Sequence, residues 1–118
     1  KQGYSKFGNY TGNGNVDGTF IYTGFKPAWT MIKRTDSADN WVIDDGTRSP
    51  FNLMENTLYA NLSNAEYTSN LYGIDFLSNG FKIRDDDGNY NASGGNYIYM
   101  AFAENPFVTS SGVPATAR

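Results

Sequence analysis

Residues 85–91, with the sequence DDDGNYN, carry oxygen-bearing side chains at alternate positions. Carboxylate and amide oxygens are the ligands that Ca²⁺ prefers, which makes Asp85, Asp87 and Asn89 candidates for a calcium site. The pattern departs from an EF-hand loop, because the glycine is misplaced and no glutamate follows that could bind the ion through both oxygens. An acidic hairpin loop that faces water is the simpler interpretation, and no other cofactor is predicted.

Four tyrosines on or near predicted loops are the candidates for contact with a ligand: Tyr10, Tyr67, Tyr72 and Tyr90. A tyrosine ring offers apolar area with a polar tip, and Asn89 and Asn91 beside Tyr90 could bond the hydroxyl groups of a sugar. Surface tyrosines that bind nothing are the alternative. Trp29 and Trp41 could also stack on sugar rings, but each lies within an alternating strand pattern and is expected in the core.

The composition excludes several kinds of catalysis. The chain has no histidine and no cysteine, so the usual serine and cysteine triads cannot form. Glycoside hydrolysis needs two carboxylates at a set separation, and Glu55, Glu66 and Glu104 show no pattern that marks such a pair. The net charge of −3 argues against a nucleic-acid groove, which needs a basic patch, and no apolar run approaches the length of a membrane span. We therefore predict a binding or structural protein that is not an enzyme.

Short strands between frequent turns must position these side chains. Asn-Gly between alternating runs is a strong hairpin signal, so Asn79 and Gly80 predict a hairpin in which Phe81 and Ile83 point inward. Residues 63–72 read as a loop or a single helical turn. The other predicted strands cover residues 19–23, 29–34, 41–44, 58–62 and 96–103. Seven or so strands without an amphipathic helix predict an all-β fold, an antiparallel β-sandwich of the jelly-roll kind.

The run of residues 96–103 is the most apolar of these strands. One face would carry Ile98, Met100 and Phe102, and the other Tyr97 and Tyr99. Neither face is charged, so we expect a central strand covered on both sides. The sandwich domain would span residues 1–107, and the Ser/Thr/Pro/Ala-rich residues 108–118 would lie over the surface or at a partner. The polar start without methionine suggests the C-terminal portion of a longer or processed polypeptide.

Four segments carry a family resemblance: residues 9–14, 22–34, 74–84 and 97–104. Together they resemble a domain that recurs near the C-terminus of tailed-bacteriophage virion proteins, often tail-fibre-like, with a pattern similar to concanavalin- or laminin-G-like sandwiches. The resemblance implies a module on the surface of the extracellular virion, with other virion subunits as partners and a homotrimer as the assembly. It supplies no catalytic or ligand-binding residue.

Three functions remain open. The first is an adhesion module that binds a host-surface glycan reversibly, with avidity from several copies. The second is a purely structural virion protein, such as a capsid decoration or tail appendage. The third is a fragment of a polysaccharide depolymerase, for which Asp85, Asp87 and Glu104 would be the carboxylates to test.

Overall fold

The computed structural model describes residues 2–68 and 73–105, which form strands and loops but no helix, and hence no helix that could span a membrane. Nine strands occur in these residues: β1 Ser5–Thr11, β2 Phe20–Tyr22, β3 Pro27–Arg34, β4 Val42–Asp45, β5 Asn56–Tyr59, β6 Tyr67–Thr68, β7 Ile74–Leu77, β8 Gly80–Ile83 and β9 Asn96–Ala103.

The strands form two antiparallel sheets. The large sheet has the order β1-β9-β3-β4-β5-β6, and the small sheet has the order β2-β8-β7. At Gly80 the backbone of β8 comes so close to β2 that an added Cβ would lie 2.0 Å from the carbonyl oxygen of Ile21. Glycine is therefore required for the small sheet to close at this point.

The core lies between the two sheets, where alternate side chains of each strand point inward. The ring of Phe81 in the small sheet meets the edge of Tyr99 in the large sheet at 5.3 Å between centroids. Tyr10 stacks on Tyr97 at 4.9 Å. The fully buried aliphatic side chains between the sheets include Ile32, Val42, Ile74 and Ile83. The predicted antiparallel β-sandwich is confirmed; its likeness to concanavalin- and laminin-G-like folds stays a prediction.

Strand β9 is central, as predicted, but it is covered on one face only. Tyr97, Tyr99 and Ala101 are buried against the core. On the other face Ile98 is 43% exposed, and Phe102 is half-buried. The prediction that both faces are covered was wrong, because the small sheet packs against one side of the large sheet and leaves the other side open.

The two tryptophans are half-buried and lie outside the core predicted for them. Trp29 lies on the open face of the large sheet, where its ring centroid is 5.5 Å from that of Phe102. Trp41 comes directly before β4, and its backbone amide donates to Oδ1 of Asn61 at 3.0 Å. The alternation of apolar and polar residues identified these strands but could not show which face of the sheet would be covered.

The hairpin around Asn79 and Gly80 is confirmed, with Phe81 and Ile83 buried as predicted. The predicted pairing of the Trp29 strand with the Trp41 strand is confirmed as the β3–β4 hairpin. Strands β1 and β6 were not predicted, and β5 begins two residues before the expected strand. The predicted surface tail, residues 108–118, lies outside the described residues.

Candidate functional site

A row of polar side chains crosses the inner face of the large sheet, from strand to strand. Thr30 on β3 faces Asp44 on β4, Asp44 faces Thr57 on β5, and Thr57 faces Tyr67 on β6. Thr30, Asp44 and Thr57 are buried, whereas Tyr67 at the sheet edge is 53% exposed. The row therefore leads from the core to the surface.

Asp44 is the centre of this row and is completely buried. Its Oδ1 accepts from the hydroxyl of Thr57 at 2.9 Å, and its Oδ2 accepts from the hydroxyl of Tyr90 at 2.9 Å. Burial raises the pKa of the Asp44 carboxyl to about 7, because the two neutral hydroxyls offset only part of the cost of removing the charge from water. The nearby Asp85 carboxylate raises this pKa further.

The loop of residues 85–91 is held in place by its own side chains. Oδ1 of Asp85 accepts from the backbone amide of Asp87, and Oδ1 of Asp87 accepts from the backbone and side-chain amides of Asn89, each at 2.8 Å. Oδ1 of Asn89 accepts from the backbone amide of Asn40 at 2.8 Å. These Asx-type bonds fix the loop across the end of the polar row.

A cleft of about 340 Å³ lies between this loop and strands β5 and β6. Its buried members are Thr57, Asp85 and Tyr90, and its most exposed aromatic ring is that of Tyr67. Eight residues line it: Thr57, Tyr59, Tyr67, Asp85, Asp86, Asp87, Asn89 and Tyr90. The volume is within the range of small-molecule sites, and the lining combines aromatic rings with hydrogen-bonding groups.

The electrostatic field of the cleft is negative. The pKa of Asp85 is raised, first by burial and then by the charges of Asp87 and Asp86. The pKa of Tyr59 is raised as well, first by burial and then by the Asp87 carboxylate. A ligand in the cleft would therefore meet acceptors and negative charge, which favours neutral or cationic groups over anionic ones.

Five of the residues predicted for ligand or metal contact line this one cleft: Tyr67, Asp85, Asp87, Asn89 and Tyr90. Tyr10 and Tyr90 were placed wrongly on the surface: they are 8% and 5% exposed, and the hydroxyl of Tyr10 donates to the carbonyl of Tyr90 at 2.6 Å. Asn91 was also placed wrongly, because it is fully buried. Its side chain accepts from the backbone amide of Asn13 and donates to the carbonyl of Asn15. The predicted contact Tyr72 lies outside the described residues.

The calcium site predicted at Asp85, Asp87 and Asn89, two carboxylates and one amide, stays a prediction. No group of three or more acidic side chains in residues 2–68 and 73–105 converges to hold a metal ion. The alternate spacing of Asp85, Asp87 and Asn89 also has a local role, because each of these side chains accepts a hydrogen bond from a backbone amide. Glu104, the third carboxylate considered for hydrolysis, lies away from the cleft in an ion pair with Lys26 at 3.4 Å.

Three residues of the site were not singled out as candidates from the sequence. Tyr59 and Thr57 share the inner face of β5, and the alternation of that strand could have paired them. Asp44 lies two residues after the buried Val42 in β4, and a carboxylate at such an inward position is the signal that could have identified it.

Comparison with known proteins gives the family but no activity. No curated protein and no solved structure matches the chain. A family model matches residues 1–106, which is nearly the whole sequence. The chain belongs to the family described as a domain of unknown function, DUF7483.

Proposed function

We propose that this protein is a non-catalytic adhesion module of a bacteriophage particle, and that it binds a host-surface glycan in the cleft beside residues 85–91. The observation that supports the proposal is the pair of aromatic rings, Tyr59 and Tyr67, in one cleft with carboxylate and amide groups. Sugars present C–H faces that pack on aromatic rings and hydroxyls that donate to carboxylates.

Tyr67 is the ring best placed for contact with a sugar, because it is 53% exposed at the cleft. Asp86 and Asp87 are exposed beside it and can accept from ligand hydroxyls. Tyr90 has a different role, since its hydroxyl bonds Asp44 and Thr57 inside the core. It supports the base of the cleft.

The negative charge of the cleft sets the class of glycan. Asp85, Asp86 and Asp87 would repel a uronic or sialic acid, so the ligand is a neutral or amino sugar. A cleft of about 340 Å³ is at the small end of ligand sites, which suits one or two sugar rings at modest affinity. Several copies on one particle would supply the avidity that attachment needs.

The test is a glycan array with the purified chain, followed by calorimetric titration of the best neutral ligand. We expect Tyr67→Ala to weaken binding by about tenfold or more, as the loss of a stacking aromatic residue typically does. Tyr22→Ala is the matched control, because Tyr22 is similarly exposed, at 61%, on a strand outside the cleft. If no neutral or amino-sugar glycan binds, or if both variants lose the same affinity, the proposal is contradicted. Release of reducing ends from host polysaccharide would contradict its non-catalytic part.

A second function, a purely structural virion protein, is favoured by one other observation. The outer face of the large sheet exposes apolar side chains, including Phe7 at 63% and Ile98 at 43%. Such surfaces mark contacts with other proteins. This function predicts no glycan binding and placement of the chain at subunit contacts by electron microscopy of the particle.

A further inference from the structure

The outer face of the large sheet carries a straight apolar row across five strands. Because paired residues of neighbouring strands share a face, the register aligns five side chains side by side: Phe7, Met100, Met31, Ile43 and Leu58. Phe7 is 63% exposed and the other four are half-buried. We call this line of five residues the central row.

Apolar residues also lie on either side of the central row. On one side Phe102 and Trp29 are paired, and the Phe102 ring is 6.0 Å from that of Phe7. On the other side Ile98 is 43% exposed and is paired with Lys33. The apolar surface thus extends from the central row to Phe102 and Trp29 on one side and to Ile98 on the other, which is more than the scattered apolar residues of an ordinary surface.

The size of this face matches what a small protein interface needs. Five strands spaced at about 4.8 Å and three rows at about 7 Å spacing give a footprint of about 500 Å², before the relief of the side chains is counted. A standard interface buries about 800 Å² on each partner. The large sheet therefore offers an area near the lower end of a specific interface, and sheets pack face to face in this way at about 10 Å.

Two opposite charges flank the central row on its two sides. Lys33 lies at one end of β3, where its ammonium donates to the carbonyls of Arg34 and Ser37. Asp45 on β4 lies across the row, paired with Trp29, and its Oδ1 accepts from the backbone amide of Thr47. A two-fold axis along the central row sets this row against the same row of a second chain. It brings Lys33 of one copy near Asp45 of the other. The same axis places Ile98 against the Phe102 and Trp29 rings of the second copy.

We propose that two copies of this chain, rather than the three that the family resemblance implies, pair through the outer faces of their large sheets, about a two-fold axis that runs along the central row. The proposal is independent of glycan binding. The cleft opens on the inner side of β5 and β6, so pairing leaves both clefts free. Each pair would then present two sites.

The first test is the solution mass by sedimentation equilibrium over a wide range of protein concentration. We expect a concentration-dependent mass that approaches twice the 13.1 kDa of one chain. Phe7→Asp should raise the dimer dissociation constant by about tenfold or more, since it places two like charges opposite each other at the β1 end of the central row. Tyr22→Asp, a matched change on the outer face of the small sheet, should leave it unchanged. Circular dichroism of both variants checks that they fold.

A charge swap tests the symmetry of the pair. Lys33→Asp and Asp45→Lys each bring like charges together across the proposed axis, so each should weaken pairing by severalfold. The double variant restores opposite charges and should recover most of the wild-type affinity. The proposal is overturned if the chain stays monomeric or forms a trimer. It is also overturned if Phe7→Asp and Tyr22→Asp change the dissociation constant equally, or if the double variant pairs as weakly as the single variants.

Discussion

Replacing Asp44 by asparagine tests whether a buried carboxyl controls the stability of this fold. Asp44 is fully buried, and its side chain is held by the hydroxyls of Thr57 and Tyr90 rather than by a cation. Its pKa rises from an ordinary value of 3.8 to about 7 in the folded chain. The folded state therefore holds a proton at pH values where the unfolded chain has lost it.

The sign and size of the effect follow from this difference. Because the pKa is raised on folding, the contribution of Asp44 to stability is fully present below about pH 4 and is lost as the pH rises through about 7. A shift of about three pKa units corresponds to about 4 kcal/mol. That is a large part of the 5–15 kcal/mol that typically separates the folded and unfolded states.

The assay is urea unfolding of wild type and Asp44→Asn at pH values from about 4 to about 8.5. Asparagine keeps the shape and can still accept one of the two hydroxyl bonds, so at about pH 4 the variant should be within about 1–2 kcal/mol of wild type. As the pH rises, wild type should lose on the order of 4 kcal/mol relative to Asp44→Asn, so that the variant becomes the more stable protein. Asp86→Asn, which removes an exposed carboxyl from the same cleft, should follow the wild-type profile.

Parallel pH profiles for wild type and Asp44→Asn would refute this reasoning. They would mean that Asp44 ionises as easily in the folded chain as in the unfolded chain. The polar row from Thr30 to Tyr67 would then be solvated, and the core would not extend to the cleft.

Three further changes test other parts of the fold by thermal or urea unfolding. Thr30→Val should stabilise the chain by up to about 1 kcal/mol, because within the described residues the Thr30 hydroxyl is buried without a hydrogen-bond partner. A clear loss of stability would mean that the hydroxyl has a partner. Asn91→Ala should lower the free energy of unfolding by about 2–3 kcal/mol, since it removes the side chain that is hydrogen-bonded to Asn13 and Asn15. An unchanged unfolding midpoint would contradict that role. Gly80→Ala should lower the free energy of unfolding by more than about 2 kcal/mol, because the new Cβ clashes with the Ile21 carbonyl. Gly46→Ala is the control and should lower it much less, because the nearest atom to its new Cβ is 3.6 Å away. Equal losses would contradict the close approach of β8 to β2.

Local patterns explain which strands could be predicted from the sequence. The β7–β8 hairpin follows from Asn79-Gly80 between alternating runs, because both the turn and the side-chain period are short-range properties. Strand β1 has no such signal: Lys6, Gly8 and Asn9 make it polar, and it is a strand because it pairs with β9 from the far end of the chain. Long-range pairing of this kind is invisible to a local pattern.

The candidate site was predictable in part for the same reason. Tyr90 and the acidic loop were identified as a single local cluster, and Tyr67 as a loop tyrosine. The structure adds Tyr59 and Thr57 because β5 passes beneath that loop. Tyr10 has the same residue type and a similarly polar neighbourhood, yet it is buried by its stacking on Tyr97. Residue type predicts what a side chain can do, whereas burial decides whether a ligand can reach it.

The most direct test of the proposed adhesion function is an amide NMR titration of the full chain with the neutral glycan that binds best on an array. If the glycan binds in the cleft, the largest shift changes fall at Tyr59, Tyr67 and residues 85–90. The amide shifts on the outer face of the large sheet, around Phe7 and Ile98, then stay unchanged. Shift changes centred on that outer face, or none at any glycan concentration, would contradict the proposed function.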